Sequence, residues 1–559
     1  MKSVQFCSVN LFLYVFLFSI PIVTHSADSG IHPAKTSIDY PSADNDSPGL
    51  KLIGQIGGPV SNVAVAGNYA YLCEGMRLVI IDISDPAHPR DVGVTIPFEA
   101  YANGVAVSGE TAYVAAGHHG LMAVDVSNPA CPKILSSFHT RGYAEKVAAS
   151  GQYVFVAYGW GGLSIVDASN PVVLREVAHV APFGYTFDVE VVGEIVYLAC
   201  AGLGLQIIDI SNIENPVAIG SFNTPGYAHG VCVSGEYAYI ADEWAGMRVL
   251  HIADKRNPIE VGSYATPGQA FDVQFADNRV YVADAFRGVR VLDVSNPENP
   301  TEIGFLEADG HAHRLTLSGD RVYVADQEFG CRILDRSDPT NLRLLGERVS
   351  AVRVRDVAVS GNYAYLAVHP NFFFVADTSD PTRPMVVCSR SLSDNPGGLV
   401  VRDNLAYIIC NNVGLIVFDV SVPTDPIKLG EAHHDIPARD LNVQGDYAFV
   451  ASEGCLEIFD VSDPTNPAHG HSLPIENIVT GTDFTNRYAI VGVAVKDTIA
   501  VLCLSDIGVA ILDVTNPLDP RTLAFLPDVG FTQEVEILGT YAYISDTSGL
   551  LVLDISDPT

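Results

Sequence analysis

One phrase, Leu/Val-x-Ile/Val-x-Asp-x-Ser-Asp/Asn-Pro, returns about every 42 residues and constrains the fold more than any other feature of the chain. It first reads Val79-Ile80-Ile81-Asp82-Ile83-Ser84-Asp85-Pro86 and last Leu551-Val552-Leu553-Asp554-Ile555-Ser556-Asp557-Pro558. Its Asp stands at 82, 125, 167, 209, 293, 335, 377, 419, 460, 513 and 554, and His251 takes that slot once, so there are twelve units. A period of 40 to 45 residues holding several short strands is the pattern of a β-propeller or a similar array.

Residues 226–268 show how one unit is built. Val231–Ser234 alternates and stops at Gly235; Tyr237–Ala241 is a second strand, Met247–Ile252 a third, and Ile259–Tyr264 a fourth. Four short antiparallel strands make one propeller blade. The recurring phrase explains itself locally: Asp and Ser side chains cap turn amides, and Pro presets φ where no ladder donor is wanted. The most regular residues are therefore structural. Valine, isoleucine, tyrosine, glycine and proline suit many short strands with tight turns.

The third strand, Leu78-Val79-Ile80-Ile81-Asp82 or Leu163-Ser164-Ile165-Val166-Asp167, resembles that of the LVIVD-repeat family, over roughly residues 50–559. The resemblance implies a β-propeller-like fold on an exported or surface protein, and implies no single enzymatic activity.

The loop from a fourth strand to the next unit, such as Asn223–His229, is read as the crossing from the outer edge of one blade to the inner strand of the next. The repeats begin with a lone fourth strand, Lys51–Ile56, and run to a third strand before Thr559, an arrangement in which a terminal strand completes a blade and hides sheet edges. Twelve blades exceed the four to eight usual in one ring. The expectation is two six-bladed rings, 49–297 and 298–559, the second closed by Thr301–Phe305. Seven plus five, or one large ring, are the alternatives, because the spacing across position 297 is undisturbed. The one insertion, between Pro474 and Tyr488, is expected to project as a loop. Residues 1–26 read as a secretory signal, with Lys2, an apolar Leu11–Ile20 and small residues before Ala27. Residues 27–48, polar and rich in Pro, Ser and Asp, read as a disordered lead-in. The expected location is secreted, periplasmic or cell-surface, with no membrane insertion once the leader is removed.

A net charge of −34 argues against nucleic acid, whose phosphates need clustered Lys and Arg. The cysteines, mostly at strand ends and without a Cys-x-x-Cys, read as small buried hydrophobes. No cofactor is called for, and calcium at the acidic positions has no motif behind it. Catalytic signatures such as His-Glu-x-x-His and Gly-x-Ser-x-Gly do not occur.

Chemistry is expected where residues vary on the fixed frame. Positions just before each inner strand should gather at one channel mouth: Asn103, Glu145, Asp188, His229, Asp272, His313, Arg314, Arg355, Asp356, Arg439 and Asp440. Asp188, Asp272, Asp356 and Asp440 recur 84 apart, as a ring of carboxylates for a polar ligand or as internal Asp–Arg pairs at a solvated mouth. A second column, in the turn before the third strand, holds Trp160, Trp244, Phe286 and Phe329, an arrangement suited to a protein- or glycan-binding surface. The pairs Asp242/Arg248, Asp284/Arg290 and Asp326/Arg332 flank that turn and are expected to be cross-strand ion pairs across the hairpin, worth little each if exposed. The leading expectation is a non-enzymatic scaffold that binds a protein or an extracellular polymer. The alternatives are a polysaccharide hydrolase or lyase using Glu145, Asp188, Asp272 and His229, and a structural surface-layer component.

Overall fold

The computed structural model describes residues 57–557, apart from 480–489 and short gaps at 141, 182–183, 308–309, 328, 351–352, 412, 434–435, 528, 530 and 547–548. The leader, the lead-in and Lys51–Ile56 lie outside the described residues. Twelve antiparallel sheets follow one another, each in the strand order 1-2-3-4 of its own sequence, and the last has three described strands, Thr532–Asp554. Blades 1 to 7 are Val60–Val94, Gly104–Phe138, Lys146–Val180, Asp188–Phe222, Gly230–Tyr264, Asp272–Leu306 and Ala312–Arg348. Blades 8 to 12 are Arg353–Ser391, Pro396–Ala432, Ala438–Pro474, Gly492–Pro527 and Thr532–Asp554. Within blades 1 to 7 and again within blades 8 to 12, the first strand of a blade packs beside the first strand of the next, so first strands lie innermost and fourth strands outermost.

The recurring phrase acts as a turn lock. In eleven units the Asp Oδ1 accepts the backbone N–H two residues on, at 2.8–3.0 Å. At Asp82, Asp125 and Asp335, hydrogen bonds from the serine side chain and its backbone N–H hold the carboxyl below its ordinary range. The Pro carbonyl that follows reaches the preceding blade and rests on a glycine of its fourth strand: Pro129 on Gly93, Pro297 on Gly262, Pro339 on Gly304. Any Cβ at those glycines would overlap the carbonyl oxygen.

That contact also reports where the ring closes. Gly346 of blade 7 receives Pro86 of blade 1. Thr316 Oγ1 donates to Val63 O at 2.6 Å, and Tyr323, Ala325, Cys331 and Ile333 share one core cluster with Val60, Leu72 and Ile81. The first run is therefore a closed ring of seven blades, followed by an arc of five from blade 8 to blade 12. This corrects the six-plus-six expectation: position 297 falls inside blade 6, in the turn between its third and fourth strands, and Thr301–Leu306 pairs within that blade instead of closing a second ring. Each blade of the first ring uses its own four strands, so closure depends on side chains and not on a shared strand.

The closing side chains are charged. Glu74 is fully buried between Arg77, at 2.6 Å, and Arg348. Arg348 also grips Asp91 bidentately, with both nitrogens at 2.9 Å. Arg77 Nη1 donates to Pro384 O at 3.1 Å, linking blade 1 to blade 8, whose fourth strands also touch. Opening the insertion, Ile475–Ile478 forms a single helical turn whose Ile475 and Ile478 join the core of blades 10 and 11; this part does not project, and 480–489 lie outside the described residues. Eight of the nine described cysteines are buried.

Arg348→Ala strands the Glu74 and Asp91 carboxylates and is expected to cost about 3–5 kcal/mol. Arg521→Ala, which removes an exposed pair with Asp519, is expected to cost under about 1 kcal/mol. Equal shifts of the chemical denaturation midpoint in the two variants would refute the closure role.

Candidate functional site

The antiparallel order places the turn between strands 2 and 3 and the crossing to the next blade at the same end of every sheet, so both loop sets share one face. Isolated bridges tie them together from blade to blade, as Gly117 to Ala144 and Glu243 to Ala270. Beneath this face, the 84-residue column of carboxylates works as a set of staples. Asp188 Oδ1 accepts Val189 N–H while Oδ2 accepts Val231 N–H of the next blade. Asp272 does the same with Val273 and Leu315, Asp356 with Val357 and Leu399, and Asp440 with Leu441 and Val493. A carboxylate that accepts from two neighbouring inner strands fixes their relative position.

In the seven-bladed ring, Arg314 crosses the axis. Its guanidinium stands 3.5 Å from Asp188 and 3.7 Å from Asp272, and donates to the carbonyls of His229 and Phe187 at 3.3 and 3.4 Å. All three charged groups are buried. The internal Asp–Arg pairing is present, and it plugs the ring instead of lining a solvated mouth. Below the plug lies Glu190, whose carboxyl is raised to about 7 by burial and by Asp188, against the opposing charge of Lys146.

Above the plug runs a chain of rings. Trp160 meets Tyr185 edge-on at 5.6 Å, Tyr185 lies 4.7 Å from Phe187, and Phe187 stacks on His229 at 4.1 Å. Phe271 joins His229 to His311 and His313, and His311 meets Phe286 at 4.6 Å. Glu145 accepts from the Tyr185 hydroxyl, and burial raises its carboxyl. Burial, with Arg314 nearby, drives the His229 imidazole down to about 3, so it is neutral at physiological pH. His313 shifts the same way and contacts Ser61 O at 3.2 Å. Among the described residues no His, Cys, Asp and Glu group of three or more converges to hold a metal ion.

The remaining expected residues scatter. Asn103 Nδ2 donates to Ala144 O and serves the seam between blades 2 and 3. Arg355 and Arg439 are exposed on the arc, the latter 3.5 Å from Glu453. Trp160, Trp244 and Phe286 stand exposed on the ring face, whereas Phe329 turns toward blade 8 under the Arg332 guanidinium. The flanking Asp/Arg pairs are not exposed: Asp242, Asp284 and Asp326 are fully buried and also pin crossing loops, Asp242 accepting from Thr224 Oγ1 and Gly226 N–H. Sequence reasoning passed over Glu190, which shares the axial face with Asp188 at the period-two spacing of a strand. It also passed over Tyr101, Tyr143, Tyr185 and Tyr227, spaced 42 apart in the crossing loops.

A family model described as LVIVD repeat matches residues 57–94, 100–140, 141–181, 183–224, 225–266, 267–307, 309–348, 353–390, 396–432, 437–472 and 529–559. The chain belongs to the LVIVD-repeat family. These LVIVD repeats correspond to blades 1 to 10 and 12; blade 11, after the insertion, has the same strand order without a match. No curated protein matches the chain. Among solved structures, the crystal structure of the computationally designed Ika8 protein is similar at 12% identity and a TM-score of 0.43, covering 57% of this chain and 97% of that one.

Because the fold favours neutral Glu190, that group's contribution to stability is present below about pH 4.5 and is lost as pH rises through about 7. Glu190→Gln is therefore expected to raise the melting temperature by a few degrees at pH 8 and to leave it nearly unchanged at pH 4.5. An equal effect at both pH values in thermal unfolding would count against this.

Proposed function

We propose that this protein is an exported, non-enzymatic scaffold that binds a protein or an extracellular polymer through the loop face of its seven-bladed ring. The observation that carries this reading is the exposure of large aromatic side chains in register on that face: Trp160 is 72% exposed, Trp244 74% and Phe286 59%. Tyr101 and Tyr227 in the crossing loops are exposed beside them. Rigid blades hold these rings with little freedom left to lose, and exposed, preorganised aromatics are the side chains that most often dominate binding energy. The leader read in the sequence supports export, and the acidic balance suits a partner other than nucleic acid.

The hydrolase or lyase reading has less support. Asp188 and Asp272 are buried, each with both oxygens occupied by backbone amides and with Arg314 alongside, which leaves no carboxylate free to reach a glycosidic oxygen from that pair.

The combined variant Trp160→Ala, Trp244→Ala, Phe286→Ala is expected to lose at least about tenfold in capture of partners from envelope and secreted fractions. Its melting temperature should stay within a few degrees of the wild type, because the three side chains are solvent-exposed. Undiminished capture of every partner would refute the assignment of binding to this face.

A further inference from the structure

The same face carries a second feature where the closed ring meets the arc. A cleft of about 640 Å³ opens between blades 7 and 8. Blade 7 contributes Phe329, Arg332 and Glu347; blade 8 and the crossing after it contribute Arg353, His369, Asn371, Phe372 and Ser393–Asn395. Its size falls in the range of roughly 300–1,000 Å³ seen for small-ligand sites, and junctions between compact units are common places for them.

The lining is specific in kind. Donors from Arg332, Arg353, Asn371 and Ser393 share the lining with acceptors on Glu347, Asp394 and Asn395. Two guanidiniums face two carboxylates, so the wall holds many fixed dipoles and little net charge. Arg332 is oriented from three sides: Asp326 at 3.9 Å, Glu347 at 3.6 Å and the Phe329 ring, 5.3 Å from the guanidinium carbon. Burial together with Arg353 and Arg355 lowers the His369 pKa, so its neutral ring offers one donor and one acceptor.

We infer that this cleft binds a saccharide. Vicinal hydroxyls each donate and accept, which matches a wall that mixes donors and acceptors, and the C–H face of a sugar ring suits the half-buried Phe329. A phosphate or polyanion would meet Glu347 and Asp394, and a bare cation would meet Arg332 and Arg353. The inference stands apart from the aromatic face of the ring, since none of Trp160, Trp244 and Phe286 lines the cleft.

The test is calorimetric titration of the purified protein with maltotriose, chitotriose and trigalacturonate, each to about 10 mM, a ceiling that detects millimolar affinity. At least one is expected to bind. Ser393→Trp, at an exposed position, fills the cleft and is expected to weaken that binding at least about tenfold, as is Arg332→Gln; Trp244→Ala is expected to leave it unchanged. Binding of trigalacturonate alone would mark the arginines as a carboxylate site and overturn the inference, since the neutral sugars offer the same hydroxyls. Binding of none of the three would overturn it, as would equal binding by wild type and Ser393→Trp. Should Arg332→Gln fail to fold, Ser393→Trp alone decides. Loss of saccharide binding in Trp244→Ala with Ser393→Trp unaffected would move the sugar to the ring face and overturn the cleft assignment while leaving the broader binding role standing.

Discussion

Glu74 is the residue on which the arrangement of the whole chain turns. Buried without exposure, it is tolerable only because Arg77 and Arg348 approach it together, one from its own blade and one from the seventh. Arg348 neutralises Asp91 in the same grip, and Arg77 passes a hydrogen bond to blade 8. One cluster of four charges thus closes the ring and anchors the arc beside it. The geometry matters because repeat packing alone is indifferent to ring size: each seam buries similar apolar strands, and only side chains peculiar to blades 1 and 7 distinguish one closure from another.

The axial carboxylates obey the same logic on a finer scale. Each of Asp188, Asp272, Asp356 and Asp440 is satisfied by amides from two blades, and where the following blade carries Gly230, Gly398 or Gly492 the absent side chain lets the inner strands approach closely. Polar residues at the centre of the molecule are therefore scaffold, and the variable loops above them are free to carry recognition. The pairing of Glu145 with Tyr185, the neutral His229 and the stacked Phe187 make the ring face firm without burying Trp160 or Trp244.

The repeat made the blade legible down to its strands: Val231–Ser234, Tyr237–Ala241 and Ile259–Tyr264 were read within a residue of their ends, because alternation and turn residues are local signals. Ring size was not legible, because the 42-residue spacing runs unchanged through the closure, and closure is a contact between residues more than 250 positions apart. The clue lay in composition at single positions. Glu74 and Arg348 replace the residues that other repeats carry at those points, a substitution visible only after the repeats are aligned column by column. Trp160, Trp244 and Phe286 stand exposed in the turn before the third strand. Phe329 turns away from that face because its blade meets blade 8 off the ring.

The alternation of acid and glycine along the axis has a further consequence, one of parity. A pattern that repeats every two blades cannot run unbroken around an odd number of them. From blade 4 onward the inner column reads Asp188, Gly230, Asp272, Arg314, and the ring then returns to blade 1, where the matching residue is Asn62. The pattern breaks over the rest of the ring: Arg314 and Lys146 stand where glycines would continue the series, Gly104 stands where an acid would, and Asn62 is buried with neither amide atom hydrogen-bonded. A ring of six or eight could be uniform about its axis. A ring of seven must break such a pattern somewhere, and its face so gains a built-in direction.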